Sequence, residues 1–350
     1  MNDVNIGSLD DDFMPVVGAS SEGPAAGQIE QAAREIPDDI RRRITALHKI
    51  TFWTRMKLLA LLAIWGGCAA LAINIHSLWV RLPCWIIIGF VLHSLGVFMH
   101  EGAHGSLFRK PWLDRPIGFL CGLPVFFSCS SYRATHLLHH RFENTPRDPD
   151  NLEANFPNRT ARAILYYSWF LIGMPAYIIS VTFTGPFRAQ GWGNKVACVV
   201  EPLLIAAFYT VLFTLSSRYH FGDLLANGWA WALPFAVLVA NFRGLAEHTQ
   251  LWHGDPPDPY HSTRSLVSNR CIAFFFNNQN HHLEHHLFPA LPWDALSKAH
   301  RLLQPVYEER GAAVAKGYLS WMADALRYGP NRTLSYRQKQ SVLDNNTKER

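Results

Sequence analysis

Long apolar stretches constrain the fold of this chain more than any other feature of its 350 residues. They cover residues 58–75, 82–99, 116–131, 163–187, 196–217 and 224–242. The stretches at 58–75, 82–99 and 224–242 contain no Asp, Glu, Lys or Arg, and each is long enough to cross the hydrocarbon core of a bilayer. Water-soluble folds rarely need so many such segments. The sequence therefore predicts an all-α integral membrane protein.

Polar segments flank the apolar region and divide the chain. Residues 1–36 are rich in Gly, Ala, Ser and acidic residues without periodicity, which predicts a disordered N-terminal tail. A membrane domain is expected at 56–305, followed by a polar C-terminal tail at 306–350. The first residues lack the basic start of a signal peptide, so we expect the N-terminus to stay in the cytoplasm.

Residues 37–55, between the tail and the membrane domain, are predicted to form a basic amphipathic helix. Ile40, Ile44 and Leu47 fall on one face, and basic residues at 41–43 and 49 occupy the rest of its surface. A helix of this kind suits an anionic membrane surface. The same pattern also fits an ordinary solvated helix, and the residues alone leave both readings open.

The charge balance and the cysteines argue against two classes of function. The net charge of +5 is modest, and Lys and Arg concentrate in the tails and polar loops, as the positive-inside rule describes for membrane proteins. We find no nucleic-acid-binding motif and expect no nucleic-acid partner. The six cysteines show no C-x-x-C spacing, and most lie in or beside apolar stretches. They are expected to be small buried residues, with no built-in iron–sulfur site.

The histidines are the most informative residues of the chain. Nine of the seventeen fall into four short groups. These groups are His100 with His104; His136, His139 and His140; His248; and His282, His285 and His286. Residues spaced i, i+3 and i+4 share one face of a helix, which lets several imidazoles reach one site. Ionisable rings are costly beside a membrane and are usually functional there, so the sequence predicts metal binding.

The number of histidines indicates two metal ions. A tetrahedral ion takes four ligands and an octahedral ion six, so nine imidazoles overfill one centre but suit two centres that keep open positions. Imidazole binds Zn, Cu, Fe and Ni alike, so the spacing does not identify the element. Ordinary structural roles are expected for the isolated histidines, which are His76, His93, His220, His253, His261 and His300.

Three of the groups resemble the histidine boxes of the membrane fatty acid desaturase superfamily. The matching segments read H-E-G-A-H-G at 100–105, H-L-L-H-H at 136–140 and N-H-H-L-E-H-H-L-F-P at 280–289, with R-D-P-D at 147–150. The likeness runs from about residue 55 to residue 305. The superfamily comprises acyl desaturases and related carotenoid and lipid hydroxylases and ketolases. Its members use a non-haem di-iron centre, O₂ and an external electron donor.

The resemblance implies a ligand set for two Fe ions. The implied ligands are His100, His104, His136, His139, His140, His248, His282, His285 and His286. Of these, His248 is included because N-F-R-G-L-A-E-H at 241–248 resembles the segment that supplies a further histidine in the superfamily. At His281 such boxes often carry an aromatic residue, and we expect this residue to stay outside the ligand set. No side chain is assigned as catalytic or as binding an organic cofactor, because the metal centre carries the chemistry.

Acyl desaturation is the reaction that the three boxes favour, with O₂ as co-substrate and a lipid or acyl chain as substrate. Carotenoid or lipid hydroxylation and ketolation by the same centre remain the alternatives. Neither tail contains a cytochrome-like or flavin-binding sequence, so the resemblance implies an external donor, either ferredoxin or a cytochrome with its reductase. Five acidic residues near the boxes could orient imidazole rings or be ordinary acids. They are Glu101, Asp148, Asp150, Glu247 and Glu284.

Other metal proteins share parts of this pattern. The segment at 100–104 satisfies H-E-x-x-H, which a membrane-embedded zinc protease would use with Glu101 as general base. That site needs one further ligand and leaves two boxes unexplained. The carboxylate di-iron bundles require Glu-x-x-His twice, and the chain contains it once, at 101–104. A haem protein or metal transporter would place single histidines in the middle of its spans.

The position of the histidines restricts the topology, because all nine must emerge on one side of the membrane. With a cytoplasmic N-terminus, the stretch at 82–99 delivers His100 to the cytoplasmic side. Three long apolar stretches then precede His248, an odd number, so one of them cannot cross. We assign 163–187 to the interface because Gly173 and Pro175 interrupt it and aromatic residues suit the headgroup level. About four spanning helices, interfacial helices, and a cytoplasmic histidine-rich cap beside both termini are predicted.

Overall fold

The computed structural model describes residues 32–151, 158–251 and 258–329, and most of these residues are helical. The helices are α1 Asp38–Thr45, α2 Phe52–Asn74, α3 Leu78–His104, α4 Pro111–Gly122, α5 Cys129–Phe142, α6 Arg159–Arg188, α7 Trp192–Tyr219, α8 Gly222–Gly228, α9 Leu233–His248, α10 Arg270–Phe275, α11 His282–Leu287, α12 Trp293–Arg310 and α13 Tyr318–Tyr328. Two short strands, β1 Ser265–Leu266 and β2 Val314–Ala315, pair in parallel. Most of the predicted N-terminal tail, residues 1–31, lies outside the described residues.

Five helical segments of the described chain are long and apolar enough to cross a membrane, which identifies an all-α membrane protein. They are Met56–Asn74, Leu78–His104, Thr160–Arg188, Trp192–Tyr219 and Gly222–His248. Most are apolar around their whole circumference, as expected for helices that face lipid on one side and neighbouring helices on the other. Leu78–His104 is the most buried of them and forms the centre of the bundle. The short apolar stretch at 116–131 does not form a span, because α4 ends at Gly122 and α5 begins at Cys129.

Helices α3 and α9 run parallel towards the histidines and separate as they approach them. They are in close contact at Gly89, where an added Cβ would lie 2.5 Å from Cβ of Phe235. Only glycine allows two helices to approach so closely. Towards their C-terminal ends, which carry His100 and His248, a cavity opens between the two helices. The space between the two helices therefore forms a wedge that is closed at Gly89 and open next to Gly96 and Gly244.

Close packing also fixes the first histidine box. A Cβ at Gly102 would lie 2.7 Å from the carbonyl oxygen of Asp114 and 2.8 Å from Cα of Gly118, so α4 packs directly on the end of α3. Helix α3 then ends at His104, and the following residue, Gly105, has the left-handed conformation (φ 73°) that favours glycine. This contact holds His100 and His104 at the inner face of the bundle.

Both ends of α6 lie on the histidine side of the molecule. Near its start, the Tyr167 hydroxyl donates to the carbonyl oxygen of Leu326 in α13 (3.4 Å). Helix α13 itself lies beside the end of α9, since Gln250 donates to the carbonyl oxygen of Gly329 (2.7 Å). At the other end of α6, Arg188 donates to the hydroxyl of Thr135, next to His136 (3.1 Å). A helix with both ends on one side supports the assignment of 163–187 to the interface, although its length and composition would also permit a span.

The segment expected to be a basic surface helix is shorter than predicted and packs against the protein. Helix α1 covers Asp38–Thr45, and Ile36 and Ile44 are buried in an apolar cluster with Leu296 and Leu303 of α12. Its apolar face is therefore covered by protein, because α12 offers a complementary apolar stripe.

The C-terminal region departs from the expected polar tail at 306–350. Helix α12 continues to Arg310, β2 pairs with β1, and α13 extends to Tyr328. In α13, Tyr318, Trp321 and Ala325 recur on one face and are all less than 6% exposed. That apolar face packs against α9 and α6, so residues 306–329 belong to the folded domain. Residues 330–350 lie outside the described part of the chain.

The interfacial placement of α6 predicts that its two flanks are on the same side of the membrane. Single cysteines at the exposed positions Asn158 and Gln190, in a Cys271→Ser background, should react with a membrane-impermeant maleimide from the same side. A cysteine at the exposed Asn74, at the far end of α2, should react from the opposite side. Labelling of Asn158→Cys and Gln190→Cys from opposite sides would show that α6 spans the bilayer.

Candidate metal centre

The first histidine cluster contains five imidazoles from three helices. It consists of His100 and His104 of α3, His136 and His140 of α5, and His285 of α11, each offering one ring nitrogen within 4.8 Å of the others. The Nε2 atoms of His136 and His140 are 3.0 Å apart, and those of His140 and His285 are 3.1 Å apart. Four of the five rings are buried, and His104 is partly exposed.

The second histidine cluster contains four imidazoles from three helices. It consists of His139 of α5, His248 of α9, and His282 and His286 of α11. Nε2 of His282 lies 2.9 Å from Nε2 of His248 and 3.2 Å from Nε2 of His286. His139, His248 and His286 offer ring nitrogens within 4.8 Å of one another. All nine histidines singled out from the sequence therefore lie in two adjacent clusters.

The two H-x-x-H-H boxes each contribute to both clusters, in opposite proportions. On α5, His136 and His140 point to the first cluster and His139 to the second. On α11, His282 and His286 point to the second cluster and His285 to the first. Adjacent residues in a helix differ by about 100° in direction, so neighbouring histidines of one box diverge, whereas those four apart stay together. Each box thereby joins the two clusters.

Carboxylates contact three of the four outward-facing ring nitrogens of the second cluster. Nδ1 of His139 lies 3.0 Å from both carboxylate oxygens of Asp148, and Nδ1 of His286 lies 3.1 Å from Glu143. Nδ1 of His282 lies 3.5 Å from Glu247, a longer ionic contact. An imidazole whose Nδ1–H faces a carboxylate presents the lone pair of Nε2 on its other side.

The geometry of these nitrogens fits a bound cation. If His282 and His286 keep their hydrogens on Nδ1, two lone pairs face each other at 3.2 Å and repel unless a cation lies between them. Two nitrogen ligands about 2.1 Å from one ion, at tetrahedral or octahedral angles, are separated by roughly 3.0–3.4 Å. The Nε2 atoms of His100, His104 and His139 are also buried without a hydrogen-bond partner among the described residues. These observations fit metal ligation.

Acidic residues next to His139 change the pKa of its imidazole. Burial lowers the pKa of His139, but the carboxylates of Asp148 and Asp150 more than reverse this effect and raise it to about 10. Burial raises the pKa of Asp150 itself to about 6, against the lowering effect of His139. A cationic imidazole is therefore favoured next to these acids when no metal is bound, and metal binding would release its proton.

The acidic residues near the boxes separate into different roles. Asp148 and Glu247 contact imidazoles of the second cluster, as one of the two sequence hypotheses proposed. In contrast, Glu101 accepts hydrogen bonds from Ser106 (2.7 Å) and Gln279 (2.9 Å), and its carboxylate lies 3.8 Å from the His100 ring. Asp150 accepts from the Tyr177 hydroxyl (3.0 Å).

Sequence reasoning missed one residue of the site and the partners of another. The missed residue is Glu143, directly after α5, which contacts His286 and is fully buried. Its position three residues after His140 was the available signal. The carboxylate of Glu284, inside the third box, accepts hydrogen bonds from Ser265 and His300 (2.5 Å each). The Ser265 hydroxyl also accepts from the backbone N–H of Leu283 (3.1 Å), so these contacts clamp α11 to β1 and α12.

A single cavity of about 1130 Å³ reaches both clusters. It is lined by His100 and His136 of the first cluster and by His139, His248 and His282 of the second. Leu92, Val237 and Phe127 are among its apolar walls, which belong to α3, α9 and the segment before α5. Helix α6 covers it from the side with residues 173–180. An elongated apolar molecule could therefore reach the histidines from within the bundle.

Comparison with known proteins agrees with this site. Residues 76–318 match the family model described as fatty acid desaturase. The sn-1 oleoyl-lipid 12-desaturase of a Picosynechococcus species is 34% identical over 79% of this chain and 83% of its own length. A Synechocystis sn-1 acyl-lipid omega-3 desaturase (ferredoxin) is 28% identical over 70% and 73% of the two chains. A fatty acid conjugase of Calendula officinalis is 25% identical over 69% and 74%.

The family match spans all three histidine boxes and the segment that carries His248. Because it covers more than half of the chain, and the Picosynechococcus relative exceeds 30% identity over most of its length, the membership does not rest on the boxes alone. This chain belongs to the fatty acid desaturase family.

Proposed function

We propose that this protein is an O₂-dependent acyl-lipid desaturase that introduces a C=C bond into a fatty acyl chain. The observation that carries the proposal is the joining of both histidine clusters to one apolar cavity inside the membrane bundle. Family membership makes the protein an oxidoreductase. The relatives named above act, by their names, on acyl lipids and fatty acids, which favours an acyl chain over a carotenoid.

Two iron ions are the metals that we propose for the centre. The first histidine cluster would hold one ion with five imidazoles, and the second cluster would hold the other with four. Imidazole ligands suit iron, and neither cluster includes a thiolate. With O₂ and two electrons, such a centre supplies an oxidant strong enough to take hydrogen from an unactivated methylene, which no amino-acid side chain can do.

Desaturation removes two hydrogen atoms from the acyl chain and reduces O₂ to water. The chain segment –CH₂–CH₂– loses two hydrogen atoms and becomes –CH=CH–, and O₂ takes up these two hydrogens, two electrons and two protons to form two waters. The protein's own contribution is to hold the chain beside the histidines and to exclude bulk water. Leu92, Val237 and Phe127 line the cavity that would hold the chain. Their side chains have no polar group that could hydrogen-bond water there.

The electrons come from a separate protein in this proposal. The Synechocystis relative carries ferredoxin in its name, which supports a ferredoxin as donor, and a cytochrome with its reductase is the other candidate. We place the metal centre and both termini on the cytoplasmic side, where reduced carriers are available. Helix α1 and helix α13 both pack on the histidine side of the bundle, which supports placing the centre and both termini on one side of the membrane.

The zinc protease interpretation receives no support from the site. In H-E-x-x-H proteases the glutamate activates the metal-bound water. Here Glu101 is engaged by Ser106 and Gln279, and the two histidines of its segment lie with three imidazoles of other helices. A metal centre that is held by five imidazoles does not need Glu101 as a general base.

The proposed activity predicts a specific change in lipids. A bacterial host that expresses the protein with ferredoxin and its reductase should accumulate acyl chains with one additional double bond, measured by gas chromatography and mass spectrometry. His139→Ala should abolish the new product. Hydroxylated chains, or altered carotenoids with unchanged fatty acids, would instead identify the hydroxylase or ketolase alternatives.

The four-imidazole cluster predicts a defined loss of iron. The purified protein should contain about two irons per chain and no haem. His248→Ala leaves its ion with three imidazoles, so iron content should fall towards one per chain, measured by elemental analysis. His220→Ala, at an exposed residue after α7, should keep the full content. Normal iron in His248→Ala would remove this residue from the ligand set.

The contact between Asp148 and His139 predicts a milder effect. Asp148→Asn keeps the size of the side chain but removes the charge that orients the imidazole, so iron affinity should fall roughly 10–100-fold. Asp258→Asn is the matched control, because Asp258 pairs with His261 (2.9 Å) outside the two clusters. Competition with a chelator measures both affinities. Equal affinities in the two variants would show that Asp148 does not support the metal.

A further inference from the structure

Two glycines face the cavity between the diverging helices α3 and α9. Gly96 lies four residues before His100, and Gly244 lies four residues before His248, so each is one helical turn from a histidine of a different cluster. Both glycines line the cavity. The helices are parallel and touch at Gly89 and Phe235, which places Gly96 and Gly244 at similar depth in the wedge.

Neither glycine is explained by close packing. A Cβ at Gly96 or Gly244 would meet no atom of the described residues within 4 Å, whereas one at Gly89 would collide with Phe235. Glycine inside a helix is less stabilising than alanine. At Gly89 the contact between helices compensates for this loss. At the other two positions the compensating feature is open space inside the cavity.

The cavity continues beyond the glycines, away from the histidines. Leu92, Leu233 and Ala236 line this deeper part, and Leu92 is eight residues from His100, or roughly 12 Å along the helix axis. His93 also lines it, with its ring packed on Phe276 (centroids 4.8 Å apart). Asn144, Asp150 and Arg188 line the cavity at its opposite, histidine side. A chain with one polar and one apolar end would therefore place its apolar end in the deep part.

We propose that Gly96 and Gly244 form the passage through which the methyl end of an unbranched acyl chain reaches the deep part of the cavity. The proposal rests on the proposed function and adds a specificity to it. Because the wedge closes at Gly89, the length of chain that fits beyond the glycines determines how many carbons lie between the oxidised bond and the methyl end.

The physical reason is the width of the passage. A side chain at either position would project into space that the substrate occupies, and it would do so one turn from the metal ligands without touching them. Adding or removing one methylene in an apolar pocket changes discrimination by roughly 10–200-fold. A leucine adds more than one methylene, so it should exclude long methyl-side segments from the deep part.

The test compares Gly96→Leu and Gly244→Leu with Gly66→Leu. Gly66 is a matched control because it also has open space around it but lies exposed on α2, outside the cavity lining. Each variant is supplied with acyl lipids whose chains differ in the number of carbons beyond the oxidised bond. Products, iron content and thermal stability are measured for each.

We expect Gly96→Leu and Gly244→Leu to keep their iron and to melt at or above the wild-type temperature, because leucine favours the helix and its Cβ meets no atom within 4 Å at either position. Conversion of chains with the longest methyl-side segment should fall at least about tenfold, and chains with the shortest should be converted at near-wild-type rates. Gly66→Leu should match wild type for all chains. Equal conversion of all lengths, or a uniform loss across them, would overturn the proposal.

A second readout does not depend on turnover. An acyl lipid with a diazirine at its methyl end is photolysed in the presence of the protein, and the labelled residues are identified by mass spectrometry. In wild type the label should fall near Leu92 and Leu233, and in Gly96→Leu and Gly244→Leu it should move out of this region. Unchanged labelling overturns the proposal, whether or not the wild type desaturates the lipid. A wild type that is labelled at depth but forms no product contradicts the proposed function alone.

Discussion

The convergence of imidazole lone pairs is the interaction on which the rest of this structure depends. Several Nε2 pairs lie about 3 Å apart, and in the second cluster the Nδ1 atoms of His139, His282 and His286 already face carboxylates. Without a cation, such an arrangement would bring together buried polar atoms that repel one another or lack partners. Two bound metal ions would remove this cost, so metal binding and the final packing of α3, α5, α9 and α11 should be coupled.

The same constraint explains the shape of the substrate cavity. Two of the helices that deliver histidines, α3 and α9, must approach the centre from the membrane, and they touch one another at Gly89. Their divergence leaves an apolar space directly above the clusters, and α6 closes this space from the side. Both ends of α6 contact elements on the histidine side, which supports the assignment of this helix to the interface, where it would cover the site without adding a crossing. Metal ligation, membrane topology and substrate access thus follow from one arrangement of helices.

Much of this could be predicted from the sequence, because apolar stretches and helical spacing are local properties. The candidate membrane spans and the approach of all nine histidines to one another could be predicted in this way. The division into five and four was not, because it depends on how α5 and α11 are rotated relative to one another. The contact between Glu143 and His286 could not be predicted for the same reason, because the two residues lie far apart in the sequence. The folded segment at 306–329 was missed, although Tyr318, Trp321 and Ala325 already recur with helical spacing. Likewise, the apolar face of α1 was predicted but its partner α12 was not.

The most direct test of the central claim is an anomalous diffraction measurement on crystals of the iron-loaded protein, with data collected on both sides of the iron absorption edge. We predict two iron peaks. One should lie within coordination distance of His100, His104, His136, His140 and His285, and the other within coordination distance of His139, His248, His282 and His286. A single peak, or a peak beside His281, Glu284 and His300 instead, would contradict the division of the nine histidines between two metal ions.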